Sequence, residues 1–327
     1  MKANPCITSL VCALSLAVTL SGCNVAVPGL TVTTQQATPP VTTTQATTQQ
    51  TTAPPETQAT QTQATTEPEL QTTVPTIPSQ ATEETLPCDA PLYSIEALAA
   101  MDNTLVPYGS GYASGGRRPG AAVKLQAENE AYGACFIGED SKDIYLTFDC
   151  GYEYNNLTPK ILDVLQEKQV KAVFFVTLSY CKKNPENVWR IINEGHTLGN
   201  HSVNHLSMPG CSIDQMTSEV MQLHDYVKET FGGYEMTLFR PPMGEYSVQS
   251  LCAVQNLGYR SVFWSFAYRD WLTDAQPEPW EALQKIVGCA HGGGIYLLHA
   301  VSETNAAVLA NAIDSLRAQG YTLSLFA

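Results

Sequence analysis

Short apolar runs alternate with helix-like segments from residue 143 to the end of this chain of 327 residues. The apolar runs predict strands at residues 144–149, 172–176, 196–201, 238–242, 261–265, 294–299 and 321–326. Helices are predicted at residues 158–167, 185–194, 213–231, 247–257, 279–290 and 303–319. Strands that alternate with helices pair in parallel, and about seven such units favour a barrel. We therefore predict an α/β fold in the form of an incomplete, TIM-like (β/α) barrel, with a doubly wound open sheet as the alternative.

The first 22 residues have the pattern of an export signal. Lys2 precedes an apolar stretch that ends near Leu20 and is shorter than the roughly 20 residues needed to cross a membrane. The sequence Leu-Ser-Gly-Cys, which ends at Cys23, resembles a bacterial lipobox, in which the cysteine becomes the lipidated first residue of the mature protein. An ordinary cleaved signal is the alternative. We expect an exported protein, held at the outer face of the bacterial cell membrane as a lipoprotein or secreted.

Residues 23–87 are dominated by Thr, Gln, Pro and Ala and contain no Lys or Arg. Such a segment cannot offset its ordering entropy by burying apolar surface, so we predict a disordered linker. As a flexible coil it would span roughly 45 Å. The folded domain is expected at residues 88–327, and its motif-bearing barrel begins at residue 143.

The charge of the chain argues against nucleic acid as a partner. Its net charge is −14, from 17 basic and 31 acidic residues, and the basic residues form no cluster in the sequence. Seven cysteines follow Cys23, so at least one of them has no intramolecular disulfide partner. The sequence leaves the disulfide pairing and the oligomeric state open, although we expect a monomer.

Chemically versatile side chains stand at the predicted strand ends. Asp149, His201, Arg240, Asp270 and His299 fall at or just after the C-terminal ends of the proposed strands. In a (β/α) barrel that face holds the active site, and a doubly wound sheet also places its ligands at these ends. Each residue taken alone could be structural. Their coincidence at one face predicts a single site.

Two histidines in the sequence His201-Ser202-Val203-Asn204-His205 have the spacing of metal ligands. Imidazoles four residues apart can bind one cation if the turn between them is helical, as in HExxH zinc sites. The sequence between them has no glutamate to act as a base, so we assign the base to Asp149. Arg240 is expected to orient Asp149 and to lower its pKa.

A second proton carrier is predicted at His299. An acid such as Asp270 that holds His299 would fix the tautomer of the imidazole and raise its pKa, as a general acid requires. Pro241 and Pro242 have no amide hydrogen, so the first free backbone amides after them belong to Met243 and Gly244. These amides are candidates for stabilising an oxyanion.

Taken together, these motifs resemble the polysaccharide deacetylase family, carbohydrate esterase family 4. The resemblance covers roughly residues 107–327 and is narrower for the delta-lactam-biosynthetic de-N-acetylases. That subfamily is matched by Thr147-Phe148-Asp149 with Gly151-Tyr152-Glu153, by Phe263-Trp264-Ser265, by Asp270-Trp271 and by Tyr296-Leu297-Leu298-His299. It implies a distorted (β/α) barrel that removes the N-acetyl group from N-acetylmuramic acid in peptidoglycan glycan strands, a step in muramic delta-lactam formation.

The resemblance also implies a role for each matched residue. Asp149 would be the general base, held by Arg240, and His299 the general acid, oriented by Asp270. A divalent metal, zinc first with cobalt or manganese as alternatives, would be bound by His201 and His205. The backbone amide of Met243 would stabilise the oxyanion. Trp271 and Leu297 match positions that wall the acetyl methyl group.

Cys150 departs from this pattern, because the wider family has a metal-binding aspartate here and the subfamily resembles asparagine. A thiolate at Cys150 would complete a His₂Cys zinc site, whereas a plain thiol would leave the metal to two histidines and water. We favour the plain thiol. The alternative functions are deacetylation of N-acetylglucosamine, chitin or xylan, and a non-catalytic, cell-wall-binding lipoprotein.

Overall fold

The computed structural model describes residues 92–109 and 112–327. The predicted export signal, Cys23 and the predicted linker lie outside the described residues. Among the helices of the described ranges, none is long and apolar enough to cross a membrane.

The secondary structure alternates as the sequence predicts. The strands are β1 (Val106–Pro107), β2 (Ala134–Cys135), β3 (Asp143–Cys150), β4 (Val173–Val176), β5 (Thr197–Asn200), β6 (Leu238–Phe239), β7 (Glu245–Tyr246), β8 (Arg260–Val262), β9 (Gly294–His299) and β10 (Thr322–Leu323). The α-helices are α1 (Ile95–Ala99), α2 (Gly120–Asn129), α3 (Leu157–Glu167), α4 (Leu178–Lys183), α5 (Pro185–Asn193), α6 (Ile213–Thr230), α7 (Val248–Asn256), α8 (Pro279–Gly288) and α9 (Glu303–Ala318).

The main sheet is parallel and curls into an irregular barrel. Its strands follow the order β3, β4, β5, β6, β8 and β2, and β9 and β10 also pair with β3. Beyond β8 the amides of Ser265 and Phe266 donate to the carbonyl oxygen of Ile295 in β9 at 2.9 and 3.1 Å. The amide of Leu297 donates to the carbonyl oxygen of Phe266 at 2.9 Å. These bonds link the far side of the sheet back to β9, and the predicted distorted, incomplete barrel is confirmed.

Side chains of the central strands alternate between two apolar layers, as the two-residue period of a strand requires. Along β3, Leu146, Phe148 and Cys150 belong to the layer between the sheet and the helices. Thr147 and Asp149 point the other way, into the barrel, where both accept hydrogen bonds from one arginine. The inner layer includes Val173, Phe175, Val262, Phe263, Ile295 and Leu297.

Strands β6, β8 and β10 each end three residues earlier than predicted, and for β6 and β8 the causes are local. β6 ends at Phe239 because Pro241 and Pro242 cannot donate ladder hydrogen bonds. β8 ends at Val262 because the chain then moves across to β9. The six-residue helix α4 was not predicted; its first turn is capped by Thr177, whose hydroxyl accepts from the amide of Tyr180.

An N-terminal strap, residues 92–109, crosses the barrel before the first strand of the main sheet. Gln249 at the start of α7 bonds to the carbonyl oxygens of Leu98 and Asp102. Asn103 accepts from the hydroxyl of Ser247 at 2.7 Å. At its end the strap forms β1, which pairs antiparallel with β7. The strap is therefore part of the folded domain.

Gly293 offers a test of how tightly the bottom of the barrel is packed. Its φ is +69°, and a Cβ there would lie 2.1 Å from the carbonyl oxygen of Glu139. We expect Gly293→Ala to lower the free energy of unfolding in urea by roughly 3 kcal/mol or more, from backbone strain plus overlap. Gly320→Ala is the control, because φ is +83° there but nothing lies within 4 Å. Equal losses for the two variants would contradict this account.

Candidate active site

A cavity of about 890 Å³ opens at the C-terminal ends of the strands. Seven residues predicted from the sequence line it: Asp149, His201, His205, Met243, Trp271, Leu297 and His299. Arg240 and Asp270 lie directly behind the lining, both fully buried. The structure therefore brings together nine of the ten predicted site residues, and only Cys150 lies apart from them.

Asp149 is held by Arg240, as predicted. The Nη1 of Arg240 donates to Oδ1 of Asp149 at 2.8 Å and to the hydroxyl of Thr147 at 2.8 Å. The other carboxylate oxygen, Oδ2, lies 3.5 Å from Nε2 of His201. Burial alone would raise the pKa of Asp149, but the charge and hydrogen bond of Arg240 together with the neighbouring His201 and His299 outweigh it, and the pKa lies below its ordinary value. Asp149 is therefore an ionised carboxylate with one oxygen facing the cavity.

His201 and His205 lie on a loop after β5, so the helical turn considered from their spacing is not formed. Ser202 and His205 have left-handed φ values of 68° and 56°. The loop nevertheless brings the imidazole centroids to 4.8 Å, with the rings nearly perpendicular. The left-handed φ values of Ser202 and His205 thus bring the two imidazoles together, as a helical turn would also do.

The tautomer of His201 suits a metal ligand. Its Nδ1 lies 2.9 Å from the carbonyl oxygen of Arg240, which can only accept, so Nδ1 carries the proton and Nε2 presents a lone pair. Burial lowers the pKa of His201 to about 4, which keeps the imidazole neutral near pH 7. Within residues 92–109 and 112–327, no cluster of three or more His, Cys, Asp or Glu side chains is arranged to hold a metal. The chain itself thus offers two imidazoles.

His299 is the register partner of Asp149 on the adjacent strand, and Asp270 holds its ring from behind. Its Nδ1 lies 2.6 Å from Oδ1 of Asp270, and its backbone amide donates to Oδ2 at 2.9 Å. Burial alone would lower the pKa of His299, but the charge and hydrogen bond of Asp270 outweigh it and raise the pKa above its ordinary value. His299 is therefore suited to deliver a proton near neutral pH.

Asn305, which no sequence motif singled out, fixes Asp270. Its Nδ2 donates to Oδ2 of Asp270 at 2.6 Å, and its Oδ1 accepts from the hydroxyl of Tyr268. Asn305 is 1% exposed in the first turn of α9, next to the strand that carries His299. The sequence signal for this role was the asparagine itself, which stands one turn after Ser302, the residue that caps the N-terminus of α9.

The turn after Arg240 presents a backbone amide to the cavity. Met243 has φ of 60° and ψ of 3°, a left-handed conformation that is rare for a side chain of this kind. The Gly244 amide is committed to the carbonyl oxygen of Pro241 at 3.1 Å, which leaves that of Met243 as the candidate oxyanion donor. The strap supports this turn, because the amide of Tyr108 donates to the carbonyl oxygen of Gly244 at 3.0 Å.

The rim of the cavity is aromatic and apolar. Trp271 is 47% exposed, with its ring centroid 5.5 Å from that of His299. Leu297 is buried beside it and lines the same wall. Tyr152 stands on the rim and is also about half exposed. Exposed aromatic faces beside a polar cavity suit a flat, partly apolar ligand such as a sugar ring.

Cys150 does not line the cavity. β3 continues through this residue, so its side chain points opposite to Asp149, into the layer that contains Tyr180 and Cys181. It is fully buried, and burial raises the pKa of the thiol well above its ordinary value. A buried neutral thiol on the outer face of the sheet agrees with the plain-thiol interpretation and not with a thiolate ligand.

The chain is similar to known proteins over most of the described region. Residues 137–262 match the sequence model of the family Polysaccharide deacetylase. Peptidoglycan-N-acetylmuramic acid deacetylase PdaA of Bacillus subtilis is 39% identical, over 68% of this chain and 85% of that protein. A peptidoglycan-N-acetylglucosamine deacetylase of Bacillus cereus is 30% identical, over 61% of this chain and 93% of that protein. The solved structure of PdaA, a family 4 carbohydrate esterase, matches with a TM-score of 0.66 at 38% identity, covering 68% of this chain and 96% of that chain.

Asp270→Asn should lower the pKa of His299. The Asp270 carboxylate is the largest of the influences that raise that pKa, so its removal lets the lowering effect of burial weigh more, and a smaller fraction of imidazolium is present at pH 7. An NMR titration of the His299 ring measures the change. Asp274→Asn, at an exposed position of the following loop, is the control. An unchanged His299 pKa in Asp270→Asn would contradict the assignment.

Cys150→Asp should destabilise the fold without tightening metal binding. The new carboxylate would be buried in an apolar layer, at an expected cost of roughly 3 kcal/mol in the free energy of unfolding. Cys150→Ala, which adds no charge, should cost about 1 kcal/mol. Urea unfolding and zinc titration measure the two effects. Tighter zinc binding in Cys150→Asp would mean that this side chain reaches the cavity after all.

Proposed function

The chain belongs to the polysaccharide deacetylase family, and we propose that it removes the N-acetyl group from amino sugars of peptidoglycan, with N-acetylmuramic acid preferred. The name and the 39% identity of the Bacillus subtilis relative support this substrate. The observation that carries the proposal is that Asp149, His299 and the two imidazoles of His201 and His205 all line one cavity. Amide hydrolysis needs both a base for water and an acid for the departing amine.

Asp149 acts as the base in this proposal. Its Oδ1 is occupied by Arg240, so Oδ2 takes the proton of the attacking water. Arg240 makes hydrogen bonds through all three guanidinium nitrogens, to Val262, Thr147, Asp149 and Phe263. It therefore holds the carboxylate in place and favours its ionised form in the resting site.

Deacetylases of this family are metal-dependent in general, and we propose that His201 and His205 hold a divalent ion, zinc first and cobalt or manganese as alternatives. Such an ion supplies Lewis-acid polarisation of the acetyl carbonyl and lowers the pKa of water. Arg240 contributes here too, because its carbonyl oxygen fixes the tautomer of His201.

The remaining residues serve the collapse of the tetrahedral intermediate. The amide of Met243 donates to the oxyanion, and His299 protonates the leaving nitrogen so that the C–N bond can break. Asp270 and Asn305 hold the imidazole in the required tautomer. Trp271 and Leu297 wall the acetyl methyl group. The products are acetate and a free amine, which in muramic acid can close on the lactyl carboxyl group as a delta-lactam.

We also propose that the enzyme works outside the cytoplasm. The export pattern of residues 1–22 and the lipobox-like sequence at Cys23 support anchoring to the outer face of the membrane, with secretion as the alternative. The Thr- and Pro-rich linker would then let the domain reach the glycan strands of the cell wall.

The proposal is tested by mass spectrometry of muropeptides after incubation of purified peptidoglycan with the protein and zinc. We expect loss of acetyl groups from muramic acid with the wild type. Asp149→Asn should lower the rate roughly 100- to 10,000-fold, because the general base is lost. Asp225→Asn, at an exposed position of α6, should leave the rate unchanged.

Other outcomes would redirect the assignment. Loss of acetyl groups from N-acetylglucosamine alone would move the substrate to the second amino sugar of the glycan. Retention of every acetyl group with zinc, cobalt and manganese, combined with binding to the insoluble wall, would favour the non-catalytic, wall-binding alternative.

A further inference from the structure

The loop that carries His201 and His205 is supported from behind by helix α6. The carboxylate of Glu219 accepts from the backbone amide of Asn204 at 2.8 Å and from the Asn204 side chain at 2.6 Å. The carbonyl oxygen of Glu219 accepts from the amide of Val203 at 3.1 Å. One helical residue thus makes three hydrogen bonds to the two residues just before His205.

The other end of the loop is attached to the same helix. Asn200, fully buried at the end of β5, donates to the carbonyl oxygen of Val220 at 2.9 Å. Its Oδ1 accepts from the amide of Ser202 at 2.9 Å. The hydroxyl of Ser202 then accepts from the amide of His205 at 2.9 Å. Helix α6 therefore fixes the loop at both ends, through adjacent residues 219 and 220.

Glu219 occupies a position where an apolar residue would be expected. It lies on the buried face of α6, together with Met216, Val220, Leu223 and Val227. It is 6% exposed, and among the ion pairs of the described residues it takes part in none. A buried carboxylate without a cation is costly unless hydrogen bonds offset it. The donors of the loop provide that offset, so packing alone does not account for Glu219.

The loop needs such support because its conformation is strained. Left-handed φ values are unfavourable at non-glycine residues, and this loop has two of them, at Ser202 and His205. Without attachment the loop would relax, and the two imidazoles would no longer converge.

We propose that Glu219 is a positioning residue for the metal site, holding His205 in the orientation that lets it share a cation with His201. This inference rests on the proposed function, because it presupposes that the two histidines bind a metal ion. It assigns Glu219 no contact with the substrate or with the metal.

Glu219→Met separates positioning from packing. Methionine fills a similar volume on an apolar helix face, and Asn204 is exposed, so water can replace the lost acceptors. We therefore expect the unfolding midpoint of the metal-free protein to be kept. The dissociation constant for zinc, measured by competition with a chromophoric chelator, should rise roughly 10- to 100-fold. Deacetylation should recover when zinc is raised above the new dissociation constant.

Cobalt provides a second readout. The visible absorption bands of bound Co²⁺ should shift or weaken in Glu219→Met, because the ligand geometry changes. Glu219→Gln keeps one acceptor oxygen and should fall between the wild type and Glu219→Met. Glu229→Met, at an exposed position of the same helix, is the matched control and should behave as the wild type. If Glu219→Met does not fold, Asn204→Ala removes one donor at an exposed position and should weaken zinc binding in the same direction.

The outcomes separate the two proposals. Zinc binding by the wild type with an unchanged dissociation constant and Co²⁺ spectrum in Glu219→Met overturns the role of Glu219 alone. An equal loss of affinity in Glu229→Met overturns it as well. Failure of the wild type to bind any metal removes the proposed metal-dependent function, and this inference with it.

Discussion

The contact between Arg240 and Asp149 is the interaction on which the rest of the site depends. A fully buried guanidinium is stable only because its hydrogen bonds, together with the ring of Phe175 at 4.1 Å, take the place of water. Those bonds reach β3 and the end of β8, while the carbonyl oxygen of the same residue sets the tautomer of His201. Arg240 thus links the packing of the barrel interior to two properties of the site. Its side chain favours the ionised form of Asp149, and its carbonyl oxygen leaves the lone pair of His201 on Nε2.

Much of this arrangement follows from the sequence because parallel strands share a direction. Once the apolar runs are assigned, every residue at a C-terminal strand end must lie at one face, whatever the details of the intervening helices. The sequence alone was therefore enough to predict that Asp149, Arg240 and His299 belong to one site, without any interatomic distance. The resemblance to a known family and the chemistry of each residue type then supplied their roles, because a base, a pair of metal ligands and an acid stand at the ends of β3, β5 and β9 around the same opening.

The features that sequence patterns did not predict depend on backbone conformation and on long-range contacts. The residue types of Ser202 and His205 do not by themselves predict left-handed φ values. The spacing of His201 and His205 therefore suggested a helical turn. The orientation of Cys150 could have been predicted. If β3 extends one residue beyond Asp149, the alternation of side chains along a strand points Cys150 to the opposite face of the sheet. In the sequence, Glu219 is an acidic residue within an apolar stripe of α6. Its role becomes evident only from its hydrogen bonds to the loop that carries His205.

The strap adds a consequence for the boundaries of the domain. The region that matches the family's sequence model begins at residue 137, yet the turn that carries Met243 leans on Tyr108, and β7 pairs with β1. A fragment that began at residue 137 and ran to the end of the chain would keep both proton carriers and both imidazoles but lose the support under Gly244. The smallest part of the chain that can hold the complete site is therefore larger than the region that matches the family model. A transfer of the site to another protein scaffold must include residues 92–109.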